Sequence, residues 1–377
     1  MRNTDGVTPL SASIEAYGAV ERIAVLRPSG VGDFMFALPA LTALRLHFPG
    51  ARIVLLGKAW HRTFLNGRTM LLDDVVALPP IPGVGAPPDA PCDTRAIDEC
   101  CARLRQQRFD LAFQLFGGGR YSNPFVRRLN ARHTFGACAP DAEPLEYSLP
   151  YVVWQNERLR LLEVVALAGA RRVELEPRLP VLVRDRTELA ARVELPPGPL
   201  AVIAPCATDP RRRWPVERFA VVGDALAEAG AVVAVQGDEL ERPHSAAVVA
   251  AMRHPALDLG GKLSLGGLAA LFERARLVVA NDSGPLHLAQ TMGAATVGLY
   301  WFTNLFISGP PTVARRRYLM SPRLICPVCG QENLTQRCPH DPSFIADIGV
   351  DEVRDMALAL WRQEAAHDLR PVAAQAG

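Results

Sequence analysis

The stretch Arg22-Ile-Ala-Val-Leu26, followed by Arg27-Pro-Ser-Gly-Val-Gly-Asp33, decides the fold. Its short apolar run reads as a buried strand, and the Pro- and Gly-containing segment after it as a loop. Phe34, Leu38, Leu41 and Leu44 then recur at helical spacing. Pro39 suits a first helical turn, so the regular helix is expected from about Leu38. Pro49-Gly50 ends it, and Arg52-Ile-Val-Leu-Leu56 is a second strand. A strand-helix-strand unit of this size implies a parallel sheet.

The same grammar runs outward along the chain. Residues 79–91, rich in Pro and Gly, read as a loop, and Asp110-Leu-Ala-Phe-Gln-Leu115 as a strand running into Gly117-Gly-Gly-Arg-Tyr-Ser-Asn123. Residues 176–199 carry several prolines and read as an inter-domain connection. The alternation then restarts with the strand Leu200-Ala-Val-Ile-Ala204. A helix is expected to begin at Pro215 and end at Gly230. Ala231–Val235, a segment near Leu257–Leu259, Leu277–Ala280 and Ala295–Tyr300 are further strands. Val350, Val353, Met356, Leu360 and Trp361 make an amphipathic stripe near the C-terminus. The fold class is therefore α/β, with two Rossmann-like domains facing a central cleft. Ligands of open α/β sheets bind at the strand ends facing such a cleft.

Length and charge agree with this reading. The 377 residues suffice for two domains, each with a full core. A net charge of +2 argues against an electrostatic nucleic-acid binder. Only Lys58 and Lys262 are lysines, so lysine-centred chemistry has two candidates, and the other 39 basic residues are arginine. Residues 1–19 contain no apolar run of signal-peptide type and read as a disordered lead-in. No run approaches the length of a membrane span. The eight cysteines do not form a small secreted disulfide framework, so a cytoplasmic protein with reduced thiols is expected.

Four segments carry chemistry. In Ser29-Gly-Val-Gly-Asp33 the glycines permit close backbone approach or positive φ, and Asp33 is a candidate general base or, alternatively, a helix N-cap. The segment is neither a P-loop nor a complete dinucleotide fingerprint. In Asn281-Asp282-Ser283-Gly284-Pro285-Leu286-His287 a strand runs into a helix start, whose N–H groups favour an anion, or which is simply an Asn/Asp/Ser-capped helix with a packed histidine. Arg211-Arg212-Arg213-Trp214-Pro215 offers three cations against a diphosphate, or a solvated surface run. Glu241, in Gln236-Gly-Asp-Glu-Leu-Glu241, sits at the depth where a carboxylate binds ribose hydroxyls, or else in a surface loop.

In this order the four segments resemble glycosyltransferase family 9, which includes ADP-heptose:lipopolysaccharide heptosyltransferases. The resemblance runs from about Arg22 to about Asp355. Asn281-Asp-Ser-Gly-Pro-Leu-His-Leu-Ala289 is its most specific block, with Ile23–Asp33, Leu38-Pro-Ala-Leu41, Arg213-Trp-Pro215, Gly260 and Ser264-Leu265 alongside. It implies a GT-B fold: an acceptor-side Rossmann-like domain over residues 20–185, completed by the returning C-terminal helix 350–366, and a nucleotide-sugar-binding domain over 186–349. A loose tail over 367–377 is expected beyond them. The resemblance also implies inverting sugar transfer that requires no cofactor for catalysis. A nucleotide-sugar donor, ADP-heptose foremost, meets a lipopolysaccharide-core or related glycan or glycolipid acceptor. Nucleic acid is not a partner, and peripheral association with the inner face of the cytoplasmic membrane follows from lipid-linked acceptors.

In residue terms the resemblance makes Asp33 the base that deprotonates the acceptor hydroxyl. Ser283 and Gly284 would hold the phosphates, Asp282 the donor sugar, His287 the diphosphate side and Glu241 the ribose. Arg212 stands where the family commonly has lysine, which keeps the charge and leaves donor identity open. Gly32, Lys58, Arg62 and Arg120 are the acceptor-side candidates, with Arg68 beside them. No role is assigned to Tyr121-Ser-Asn-Pro124.

Cys326-x2-Cys329-x8-Cys338-x-His340 supplies four soft or borderline ligands. A structural zinc or iron-sulfur site is one reading and free buried thiols the default. A GT-B sugar-nucleotide epimerase and a catalytically idle sugar-nucleotide-binding protein are the alternatives to a transferase. A dehydrogenase ranks last.

Overall fold

The computed structural model describes residues 17–368. It divides into two compact units, the first ending at Pro177 and the second beginning at Arg178.

The first unit runs β1 (Arg22–Leu26), α1 (Val31–Met35), α2 (Leu38–His47), β2 (Arg52–Gly57), α3 (Ala59–Leu65), β3 (Asp74–Ala77), β4 (Ile81–Pro82), β5 (Gly85–Ala86), α4 (Thr94–Arg105), β6 (Leu111–Gln114), α5 (Ser122–Arg127), β7 (His133–Cys138), β8 (Tyr147–Pro150) and α6 (Glu157–Ala166). Its main sheet has the order β3-β2-β1-β6-β7-β8, parallel throughout. Ile23 to Leu26 are buried because helices cover both faces of a parallel sheet, which is why the strand reads as an unbroken apolar run. Pro39 stands in the first turn of α2 as expected, and a separate short helix, α1, precedes it.

The second unit runs α7 (Val183–Arg192), β9 (Leu200–Ala204), a 3-10 turn (Pro210–Arg212), α8 (Val216–Glu228), β10 (Val232–Val235), α9 (Arg242–Ala251), β11 (Leu257–Asp258), α10 (Leu265–Arg274), β12 (Ala275–Asn281), α11 (Gly284–Met292), β13 (Ala295–Trp301), α12 (Phe302–Ser308), β14 (Arg316–Ser321) and α13 (Val350–Asp368). Its sheet order, β11-β10-β9-β12-β13-β14, repeats that of the first. Each sheet therefore reverses direction once, between β1 and β6 and between β9 and β12. Open α/β sheets bind ligands beyond the strand ends at such a reversal. The segments that follow β1, β6, β9 and β12 carry Asp33, Gly117–Asn123, Arg211–Arg213 and Asp282–Ser283, so both candidate constellations stand at switch points.

Several expectations need correction. The C-terminal helix does not complete the first unit. Val353, Ala357, Leu360 and Trp361 of α13 are buried in the core of the second, with Trp214, Phe219 and Leu226. Trp361 Nε1 donates to Ala229 O at 3.3 Å. The boundary lies nearer Pro177 than residue 185, because α7 belongs to the second unit and its Arg186 pairs with Glu273 at 2.6 Å. The lead-in expected over 1–19 falls mostly on residues 1–16, outside the described residues. Tyr17, at its end, is buried against His133 and Phe135. The first two residues of the tail expected over 367–377 belong to α13, which continues to Asp368, and residues 369–377 lie outside the described residues. Among the described residues no helix is long and apolar enough to cross a membrane.

Candidate functional site

In the first unit Asp33 lies in the opening turn of α1. The N-cap is Gly30, with φ −73°, and no side chain caps the helix, so Asp33 is not a cap residue. Its side chain is exposed and accepts no hydrogen bond among the described residues. Gly30 and Gly32 do not take positive φ, contrary to one of the two uses expected of them. Gly32 is buried inside α1.

What fixes this turn is Arg27, a residue the sequence left without a role. Its buried guanidinium donates to Leu115 O at 2.5 Å and to Glu157 Oε1 at 2.8 Å, and Nη2 reaches Asp33 O at 2.5 Å. Arg160 donates to the other oxygen of Glu157. A buried carboxylate between two guanidiniums thus ties the ends of β1 and β6 to the turn carrying Asp33. Burying these charges is tolerable only because each is paired and hydrogen-bonded.

The acceptor-side candidates divide. Lys58 precedes α3, and its N–H donates to His61 Nδ1 at 2.9 Å. Burial, reinforced by the charges of Lys58 and Arg27, pushes the His61 imidazole down to about 3. His61 is therefore neutral near pH 7 and stacks on Trp60 at 3.8 Å. Arg62 is exposed and its Nε donates to Val75 O at 3.1 Å. Arg68 is buried over the Phe64 ring and is structural. Arg120 is exposed and pairs with Asp141 at 3.3 Å. The Tyr121–Pro124 block scaffolds the glycine loop. Asn123 Nδ2 donates to Glu143 O at 2.8 Å, and Gln114 Nε2 to Ser122 Oγ at 2.7 Å. Gly119, at φ +97°, leaves no room for a side chain, because a Cβ would stand 2.3 Å from Asn123 Nδ2.

In the second unit the centre is Asp282, at the end of β12 and buried. Its Oδ1 accepts from His287 Nε2 at 2.9 Å and from Ser308 Oγ at 3.0 Å, and its Oδ2 from Arg212 Nη1 at 3.2 Å. Burial pushes this carboxyl up, but His287, Arg212 and Ser308 outweigh burial and hold it below the ordinary value. A carboxylate only accepts, so His287 Nε2 carries the hydrogen. Asp282 is thus bound to protein donors. His287 is buried beneath it.

Ser283 is the N-cap of α11 and makes no capping bond, and its buried Oγ has no hydrogen-bond partner among the described residues. The N–H groups of a helix's first turn have no partner within the helix. The unpaired hydroxyl and the N-terminus of α11 follow directly after β12, and Arg212 Nη1 lies 3.2 Å from the backbone oxygen of Asp282, the residue before Ser283; donors of this kind favour an anion.

The three arginines do not act together. Arg211 is held by Asp209 at 2.7 Å and lies over Trp301, while Arg213 Nε donates to Ala207 O at 2.7 Å. Only Arg212 is directed at Asp282. Asn281 latches this loop to β12: its Oδ1 accepts from Trp214 N at 3.2 Å and its Nδ2 donates to Pro205 O at 2.6 Å. Asn281 was quoted in the motif without a role, and Ser308, in α12, gave no signal at all. Glu241 precedes α9 and accepts from Asp238 N at 3.2 Å. Burial, helped by the charge of Asp238, pushes its carboxyl up.

The matching family model, Glycosyltransferase family 9 (heptosyltransferase), covers residues 100–322. The chain belongs to glycosyltransferase family 9. Members of this family are glycosyltransferases, and the chain is an enzyme of that class. Its relatives include lipopolysaccharide heptosyltransferase 2 of Salmonella typhimurium, 25% identical over 303 residues, which are 74% of this chain and 82% of the relative. A shorter stretch of 111 residues, 29% of this chain, is 28% identical to lipopolysaccharide core heptosyltransferase OpsX of Haemophilus influenzae and spans only 32% of it. Among solved structures, E. coli ADP-heptose LPS heptosyltransferase II superposes with a TM-score of 0.71 at 19% identity, over 92% of this chain and 99% of that one. The GT-B fold of the family is thereby the fold of this chain.

Sγ of Cys326, Cys329 and Cys338 and a ring nitrogen of His340 all lie within 4.8 Å of one another. Cys326 and Cys338 are buried, and Cys329 and His340 exposed. Gly330, at φ +71°, closes the turn after Cys329, with its N–H on Cys326 O at 3.0 Å. Burial raises the Cys338 thiol, but the Asn333 amide and the His340 N–H outweigh burial and bring it to about 6. Three thiols and an imidazole at this spacing fit a tetrahedral metal ion.

Proposed function

We propose that this family 9 enzyme transfers heptose, with inversion, from ADP-heptose to a lipopolysaccharide-core or related glycan acceptor. The observation that carries the donor half is Arg212 held on Asp282 beside the open N-terminus of α11. The ADP-heptose named for the E. coli structural relative supports the choice of donor.

In this reading Ser283 Oγ, the Gly284 N–H and Arg212 bind the diphosphate and stabilise the charge that develops as it leaves. Asp282 and His287 position Arg212 and the turn; neither side chain contacts the sugar. Glu241 receives the ribose hydroxyls. Asp33 takes the proton of the acceptor hydroxyl as that oxygen attacks the anomeric carbon. Lys58, Arg62 and Arg120 face an acidic or phosphorylated acceptor, and Gly32 lies beside Asp33 in the turn as part of α1. No cofactor enters the reaction.

Cys326, Cys329, Cys338 and His340 hold one structural zinc. Four protein ligands close its coordination shell, and a closed shell offers no position for catalysis. The enzyme works in the cytoplasm, peripheral to the inner face of the membrane where lipid-linked acceptors lie.

A thermal-shift screen tests the donor. Stabilisation by ADP and ADP-heptose but not by UDP-sugars is the expected result, and the reverse preference overturns the donor assignment. Release of ADP only when acceptor is added distinguishes a transferase from an epimerase.

A further inference from the structure

The cysteine cluster and the arginine loop lie far apart in sequence, and the chain between the cluster and α13 joins them. Phe344 N donates to Arg211 O at 2.8 Å. Arg337, the residue before Cys338, chelates Asp341 and reaches Asp209 Oδ1 at 3.8 Å. Asp209 in turn accepts from the Arg211 backbone and side chain, and its O from Arg212 N at 3.0 Å. Trp214 Nε1 donates to Ile348 O at 3.0 Å. Cys326 and Cys338 share one core cluster with Trp214, Trp301, Phe344 and Ile348.

The cluster loop is fixed by packing and side-chain contacts rather than by secondary structure: Phe344 and Ile345 are buried, Arg218 Nη1 donates to Ile348 O at 2.9 Å, and Arg323 pairs with Asp347. Residues 322–347 contain no helix or strand, only turns and an isolated bridge between Ile325 and Glu332. A loop of this length without secondary structure depends on side chains or a ligand for order. Four ligands on one ion cross-link both ends of its central stretch, Cys326 to His340.

We propose that metal bound at Cys326, Cys329, Cys338 and His340 orders residues 337–348, and through them the loop 209–213 that presents Arg212 to the donor phosphates. The metal is then a positioning element for donor binding, remote from the reacting atoms. This rests on the zinc reading above and deepens it.

Hydrogen exchange on the full chain tests it without any nucleotide. The protein is purified without chelator, its zinc measured, then stripped under reducing conditions and reloaded with zinc. Exchange in residues 206–215 is expected to be slower by about tenfold in the zinc-loaded form, with β10 unchanged. Cys329→Ser, at an exposed ligand, is expected to match the stripped protein. Arg337→Gln is expected to keep its zinc and yet exchange faster in 206–215. Zinc retained with identical exchange in 206–215, loaded and stripped, overturns the coupling and leaves the metal site standing. Protein that neither contains nor takes up metal overturns both. If stripping melts the whole unit, zinc-loaded Arg337→Gln decides, and wild-type exchange there overturns the coupling. A titration with ADP supplies a second readout, with affinity expected to fall about tenfold on stripping.

Discussion

His287 Nε2 lies 2.9 Å from Asp282 Oδ1, and the two side chains are only 4% and 2% exposed. The pair closes the turn from β12 into α11, with Arg212 and Ser308 on the remaining lone pairs. Removing the carboxylate leaves His287 and Arg212 without their common acceptor. Asp282→Ala is therefore expected to destabilise the second unit by about 3 kcal/mol. The carboxyl is held below its ordinary value, so its contribution is present above the unfolded-state pKa near 4 and lost as pH falls through the folded one. Denaturant unfolding of wild type and variant, at pH 7 and again near pH 3, checks this. The gap between them is expected to narrow in acid, and a gap independent of pH contradicts it.

This pair shows where the sequence stopped being legible. Asn281–Ala289 marked the site, because a strand, a turn and a Pro-started helix leave a local pattern. Which way Asp282 points leaves none, and the carboxylate expected on the sugar is turned inward. The Arg27–Glu157 and Asp282–Ser308 contacts join residues far apart in the chain, where periodicity carries no information. Central strands such as Leu200–Ala204 were readable because both faces are buried. β8 and β14 were not, being edge strands with mixed burial. The stripe on α13 identified its buried face correctly, but a stripe does not encode which unit covers it.

Arg212 is half-buried and its partner Asp282 keeps two other donors. Arg212→Ala is thus expected to cost only about 1 kcal/mol of stability. Loss of a charge-assisted contact to the diphosphate is expected to weaken donor binding about 10- to 100-fold. Calorimetric titration of the folded variant with ADP measures it. Unchanged affinity removes Arg212 from the donor site.

His61 offers a test that needs no substrate. Its imidazole is neutral in the fold down to about pH 3, whereas the unfolded chain protonates near 6.5. Between these values the unfolded state binds the additional proton, so stability falls as pH falls through the window. The slope from this one group approaches about 1.4 kcal/mol per pH unit. His61→Gln is expected to flatten the stability profile of the first unit between pH 6.5 and 4. An unaltered slope shows that His61 takes up its proton without unfolding.

Among the described residues Asp33 carries no capping role and no hydrogen bond to its side chain, while Arg27 grips its backbone carbonyl at 2.5 Å. Position and charge are therefore separable here: the turn is held through the Asp33 backbone oxygen and not through its carboxylate. Asp33→Asn is expected to keep the turn, the fold and the donor affinity. Turnover is expected to fall by about 10²- to 10⁴-fold, the usual contribution of a general base. Arg27→Ala differs in kind, because it leaves Glu157 buried beside Arg160 alone and loosens the turn, so stability and turnover fall together. Unfolding midpoints and single-turnover rates for the two variants separate the roles. Near-normal turnover by a folded Asp33→Asn protein eliminates Asp33 as the base.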